Sequence, residues 1–168
     1  MTDEKLFSLI SKFQRDLNSH DLTIVTNFLR DKEDEHFLFL QTLSLKNPTI
    51  GIVFSWVFGY LGIGAFYANK MSFGIAQLVS YIAFIGIYMG LPLAYGWNES
   101  QIYDFWFGGY YNYDYTIWYG DYISKVEGLF LVVSLIAYIV FFVIGVVNAQ
   151  KWVKEYNFKK IMEYLPKL

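Results

Sequence analysis

Cysteine is absent from this chain of 168 residues, and charged residues are scarce. Without cysteine the chain has no disulfide bond, no thiolate metal site and no thiol nucleophile. Charged side chains make up 17% of the sequence, whereas a soluble globular domain carries roughly 25%. Lys and Arg number 13 against 15 Asp and Glu, a net charge of −2, so there is no electrostatic basis for binding nucleic acid. These deficits point away from a soluble enzyme and from a nucleic-acid partner.

Hydrophobic residues, at 55% of the chain, gather in three segments, 49–67, 73–94 and 128–147. A membrane-spanning helix needs about 20 mainly apolar residues, and these segments lack the polar face of a surface helix in a soluble protein. The sequence therefore predicts an all-α membrane protein with three hydrophobic helices, surrounded by the lipid bilayer. The first segment is the shortest and contains four glycines, so it either spans the bilayer or is re-entrant.

The regions on either side of the hydrophobic part are charged. Residues 1–46 carry apolar side chains at helical spacing, which predicts a small cytoplasmic helical cap. About 46 residues are marginal for an independent core, so we expect the cap to lean on the membrane region or on a partner. Residues 148–168 predict a basic C-terminal helix, which either lies against anionic lipid or acts as a positively charged cytoplasmic anchor.

Between the second and third hydrophobic segments, residues 95–127 are dense in Tyr and Trp and contain five acids with one base. Tyr and Trp favour the membrane interface, and they are also preferred residues of binding hot spots. Two interpretations stay open: an interfacial belt, and a recognition surface for a protein, peptide or glycan. We predict an extramembrane segment that presents an aromatic surface to a protein partner. The partner-binding candidates are Trp97, Trp106, Tyr110, Tyr111 and Trp118.

Short motifs at the first two hydrophobic segments carry a family resemblance. The sequence reads KNP at 46–48, FGYLGIGAFY at 58–67 and GIAQL at 74–78. This pattern resembles the TM2-domain family of small bacterial membrane proteins, and the tail at 154–165 is similar to that family's basic tail. The resemblance implies a membrane domain over 47–147, carrying the aromatic stretch as an insertion, in the bacterial inner membrane. The motif residues carried over are Phe66, Tyr67 and Gly74.

The chain departs from the family pattern at its charged positions. Gly64 and Ala65 stand where the family has Asp-Arg, and Gly145 stands where the last span of the family carries a membrane-embedded Asp. Buried charges in a membrane are normally paired, so we infer that these charges were lost together.

Small residues are predicted to mediate helix packing, because they let helix backbones approach closely. Gly59 and Gly62 permit close packing or a bend in the first hydrophobic segment. Gly86 and Gly90 form a Gly-x-x-x-Gly pair that packs either within the chain or against a second copy in a homo-oligomer.

Catalytic motifs are missing from the sequence: there is no nucleophile elbow, P-loop or dinucleotide fingerprint. We therefore predict a non-enzymatic membrane interaction or accessory protein, with no cofactor and no metal. The alternative is an oligomeric pore or channel subunit. The positive-inside rule places both termini in the cytoplasm and the aromatic segment outside, which requires that segment 49–67 is re-entrant.

Overall fold

The computed structural model describes residues 2–30, 37–94 and 125–165, and every regular element among them is helical. This confirms the predicted all-α class for the described part of the chain. The order is α1 (Asp3–Gln14), α2 (Ser19–Arg30), α3 (Phe37–Thr42), α4 (Pro48–Val57), a 3₁₀ turn (Gly59–Leu61), α5 (Ile63–Tyr67), α6 (Met71–Ala94) and α7 (Lys125–Tyr164).

Two helices are long and apolar enough to cross a membrane. These stretches are Met71–Gly90 in α6 and Leu129–Tyr164 in α7. In the most apolar part of each stretch, only 11% and 6% of the residues, respectively, are buried within the molecule. The core helix of a soluble protein would be mostly buried. The third hydrophobic segment runs into the predicted basic tail without a break, because α7 continues for 40 residues.

The first hydrophobic segment does not form a single helix, so only two of the three predicted hydrophobic helices are long enough to span. Its helix α4 has 10 residues and is about 15 Å long, half the thickness of a typical hydrocarbon core of about 30 Å. The chain then reverses at Gly62, whose φ is +71°, a conformation that favours glycine. We call the segment 48–67, with α4, the 3₁₀ turn and α5, the hairpin.

Close contact with α6 explains why the turn requires glycine at position 62. A Cβ atom at this position would lie 2.5 Å from the carbonyl oxygen of Gly74, in the first turns of α6. Gly59, also in the turn, is buried. The glycines that were predicted to allow a bend therefore lie where the hairpin turns.

The N-terminal helices share a hydrophobic core with the end of α7. Leu9, Phe13 and Leu29 from α1 and α2 are buried together with Ile161 and Leu165. The cap is thus built around the C-terminal part of α7 and does not have a separate core.

The described chain divides into two compact units, and the boundaries fall inside α6 and α7. One unit contains Met1–Ile75 and Phe142–Leu168, and the other contains Ala76–Phe141. Within the second unit, the ring of Tyr138 packs on Tyr81 and stacks on Phe84 with centroids 6.0 Å apart. The polar contacts described next all lie within the first unit.

Candidate functional site

A fully buried amide lies at the centre of the first unit. The side chain of Asn157 on α7 is 0% exposed. Its Nδ2 donates to the carbonyl oxygens of Lys46 at 2.8 Å and Asp16 at 3.1 Å, and its Oδ1 accepts from the backbone N–H of Lys46 at 2.9 Å. A buried amide without these bonds would be destabilising by roughly 1–3 kcal/mol per group. Asn157 therefore joins α7 to Asp16, just after α1, and to Lys46 in the linker 43–47 that precedes the hairpin.

The side chain of Lys46 lies over two aromatic rings. Its Nζ donates to the carbonyl oxygen of Tyr67 at 2.6 Å and lies 3.9 Å from the ring centroid of Tyr156 and 5.4 Å from that of Tyr67. Such cation–π contacts are attractive. Burial lowers the pKa of Lys46, and the positive charge of Lys160 lowers this pKa further. Lys160 itself donates to the carbonyl oxygen of Ser44 at 2.6 Å.

Tyr67, at the end of the hairpin, is hydrogen-bonded to the residue just before its beginning. The backbone N–H of Asn47 donates to the hydroxyl oxygen of Tyr67 at 3.0 Å. The Asn47 side chain also caps α4, because its Oδ1 accepts from the backbone N–H of Thr49 at 2.9 Å, and Pro48 occupies the first turn. Lys46 and Asn47 of the first motif thus contact Tyr67 of the second. We call Asp16, Lys46, Asn47, Tyr67, Tyr156 and Asn157 the junction.

Three glycines let the hairpin pack closely on its neighbours. A Cβ at Gly74 would lie 2.6 Å from Cε1 of Phe66, and one at Gly51 would lie 2.7 Å from Cγ2 of Val153. A Cβ at Gly64 would overlap the side chain of Ser55. These distances leave no room for a larger residue without movement of a neighbour.

Gly64, Ala65 and Gly145, where the TM2-domain pattern has charged residues, are closely packed. Ser55 fills the space beside Gly64, and its buried Oγ has no hydrogen-bond partner among the described residues. Ala65 is 2% exposed, and Gly145 is buried. Small neutral residues at these sites therefore pack in the first unit without needing a charged partner.

An ion pair and a ring contact join the start of α6 to α7. The Nζ of Lys70 lies 3.0 Å from Oε2 of Glu155. The rings of Phe73 and Trp152 pack edge to face, with centroids 4.8 Å apart. The first residues of α6 are therefore level with residues 152–155 of α7.

The other predicted site residues have different outcomes. Phe66, Tyr67 and Gly74 lie together in the first unit. A Cβ on Gly86 or Gly90 meets no atom within 4 Å among the described residues, so their role in helix packing stays a prediction. The predicted partner-binding residues Trp97, Trp106, Tyr110, Tyr111 and Trp118 lie outside the described residues.

Asn157 and the cation of Lys46 were not predicted as site residues. A signal for Asn157 exists in the spacing: it is the one polar member of a stripe that repeats every four residues and is 0% exposed throughout. The stripe consists of Ala149, Val153, Asn157, Ile161 and Leu165. An amide at such a position requires partners from elsewhere in the chain. The partners are mostly backbone atoms, so the sequence does not mark them.

Residues 2–30, 37–94 and 125–165 contain no group of three His, Asp or Glu side chains that could hold a metal ion. The absence of a metal and of a cofactor stays a prediction. Comparisons of the chain with family models, curated proteins and solved structures found no match. Function is therefore inferred from the residues of the chain itself.

Proposed function

We propose that the chain is a non-enzymatic integral membrane protein of the TM2-domain type that presents its aromatic segment to a protein partner. In this proposal α6 and α7 cross the bilayer, the hairpin is re-entrant, and the cap lies in the cytoplasm of a bacterial cell. The observation that carries it is the continuous helix α7, which has a long exposed apolar part and carries the buried Asn157 of the junction two turns before its C-terminal end.

The exposed apolar surface of α7 supports a lipid environment. Leu129 and Val147 are 63% and 72% exposed, and several Val and Ile side chains between them are about half exposed. In water this surface would be unfavourable by about 25 cal/mol for each Å² of apolar area. Lipid tails remove that penalty, and the backbone hydrogen bonds of an α-helix are satisfied internally, as the bilayer requires.

The closed base of the hairpin supports two crossings. Lys46 and Asn47 precede α4, and both bond to Tyr67 at the end of α5. The hairpin therefore returns to the level at which it begins, and α6 and α7 are left as the crossing helices. Two crossings put both termini on one face, together with every Lys and Arg except Lys125. This satisfies the positive-inside rule with the termini in the cytoplasm.

The aromatic segment is the proposed binding surface because it follows the first proposed crossing and precedes the second in the sequence. Two crossings would leave it on the side of the membrane opposite the cap. The junction supports an anchored frame within the first unit, since a buried amide with its bonds satisfied favours one arrangement of the surrounding helices. An accessory protein needs these two properties: an anchored frame and an exposed recognition segment.

Membrane extraction and affinity capture test the proposal. The chain should stay in membranes after a carbonate wash, and recovery in the soluble fraction would contradict the membrane assignment. From mild detergent, Trp106→Ala or Trp118→Ala should reduce recovery of a co-purifying partner, with a loss of about 2 kcal/mol or more in binding free energy. Trp56→Ala is the matched control, because Trp56 is 64% exposed on the hairpin. If Trp106→Ala and Trp118→Ala recover as much of the partner as Trp56→Ala does, the proposed binding surface is contradicted.

A further inference from the structure

One face of α7 changes from apolar to basic within two helical turns. Ile144 and Val147 are 38% and 72% exposed. Lys151 is exposed and Lys154 is half-buried. These four residues follow one another at spacings of three and four, which places them on one side of the helix. An apolar side that continues directly into lysines matches the passage from hydrocarbon to headgroups.

At the start of α6 the chain also changes from charged to apolar residues, at the same level as in α7. Lys70 is the last residue before α6, and the exposed apolar residues Met71 and Ile75 follow it. The contacts Lys70–Glu155 and Phe73–Trp152 align this change with residues 152–155 of α7. Two independent helices thus pass from charged to apolar in one plane, and Trp152 lies in it, where a Trp ring prefers to lie.

Two lysines in this plane have no anionic partner among the described residues. Glu155 is the acidic residue closest in sequence to Lys151 and Lys154, and it pairs with Lys70. Neither Lys151 nor Lys154 makes a hydrogen bond or ion pair within the described part of the chain. Both ammonium groups therefore remain available for an external anion at headgroup depth.

We infer that Lys151 and Lys154 bind the phosphate groups of anionic phospholipids where α7 leaves the hydrocarbon core. The inference rests on the proposed membrane function and adds to it the class of lipid that this surface selects. A lysine near an anionic membrane surface contributes roughly a fivefold gain in affinity. The acyl chains of the same lipid would lie along the exposed apolar side that ends at Val147.

Lipid retention by the full-length protein in detergent measures this selectivity. The protein is purified from carbonate-washed membranes, mixed with equal amounts of phosphatidylglycerol and phosphatidylcholine, and the retained lipids are counted by native mass spectrometry. Wild type should retain phosphatidylglycerol preferentially. Lys151→Gln and Lys154→Gln should each reduce the preference roughly fivefold, and Lys151→Arg should preserve it.

Lys159→Gln is the matched control. Lys159 is also exposed on α7 without a partner in the described residues, but it lies two turns farther from the apolar part. The inference is overturned if wild type retains both lipids equally, or if Lys159→Gln lowers the preference as much as Lys151→Gln. A chain that fails to remain in carbonate-washed membranes contradicts the proposed function itself, so the two failures are distinct.

Discussion

The side chain of Asn157 donates to the backbone carbonyl of Asp16, 141 residues away in sequence, at 3.1 Å. The same amide also holds Lys46 through a donated and an accepted bond. One side chain thus links the residue that follows the C-cap of α1, the linker before the hairpin and the helix that is proposed to cross the membrane.

Replacement of Asn157 should destabilise the fold strongly. Asn157→Leu keeps much of the side-chain volume but leaves the buried backbone groups of Asp16 and Lys46 without partners, at a loss of about 3 kcal/mol or more. Thermal unfolding in detergent measures the change. Asn148→Leu is the control, because Asn148 is on the same helix and bonds only to the carbonyl oxygen of Ile144 within it. Equal unfolding temperatures for the two variants would show that the amide does not hold the junction.

Loss of the Tyr67 hydroxyl should loosen the base of the hairpin. Tyr67→Phe removes the acceptor for the backbone N–H of Asn47, and we expect a loss of about 1 kcal/mol in the free energy of unfolding. Tyr156→Phe should be close to neutral, because it keeps the ring that faces the ammonium of Lys46. Hydrogen exchange at the Asn47 amide gives a local readout, and unchanged protection in Tyr67→Phe would contradict the proposed closure.

Two glycine substitutions should differ in their effect on stability. Gly62→Ala places a Cβ at a positive φ and against the carbonyl of Gly74, so it should be destabilising by about 2 kcal/mol or more. Gly86→Ala meets open space among the described residues and should be neutral, or stabilising by up to about 1 kcal/mol, through helix propensity. Unfolding curves in detergent compare them. Similar destabilisation by both substitutions would argue against the tight turn at Gly62.

The pKa of Lys46 should be measurably low. Burial lowers this pKa, with a smaller contribution from Lys160, so the unfolded chain binds more protons than the folded chain between the two pKa values. The free energy of unfolding should therefore rise with pH across that window. The ¹³C shift of the Lys46 ε-carbon should titrate with a midpoint below 10.5, and Lys160→Gln should raise the midpoint. A midpoint at or above 10.5 in the wild-type protein would refute this description.

Hydropathy predicted the two long helices, because segments 73–94 and 128–147 are apolar over about 20 residues and supply no polar face. It could not predict the hairpin, since the positive φ of Gly62 and the close contact between Gly62 and Gly74 are not visible in hydropathy. The resemblance identified Phe66, Tyr67 and Gly74 as a group without indicating what they contact.

The contacts of the junction could not be predicted from the sequence for a different reason. The four-residue spacing from Ala149 to Leu165 marks Asn157 as the one polar member of an apolar stripe, but it does not identify the groups to which the amide bonds. Its hydrogen bonds are to backbone atoms 111 and 141 residues away. Every residue type except proline has the same backbone donor and acceptor, so the sequence does not show which residues are the partners. The candidate binding residues in the aromatic segment, by contrast, were predicted from composition and lie outside the described residues.

The number of membrane crossings is the central claim, and the cysteine-free sequence makes it directly measurable. Single substitutions Ser8→Cys, Ser72→Cys and Ser100→Cys place a thiol in the cap, just after the hairpin and in the aromatic segment. A membrane-impermeant thiol reagent applied to intact cells should label Ser100→Cys only, and permeabilised cells should show labelling at all three positions. Labelling of Ser72→Cys with protection of Ser100→Cys in intact cells would mean that segment 49–67 spans the bilayer, and would contradict the two-crossing account.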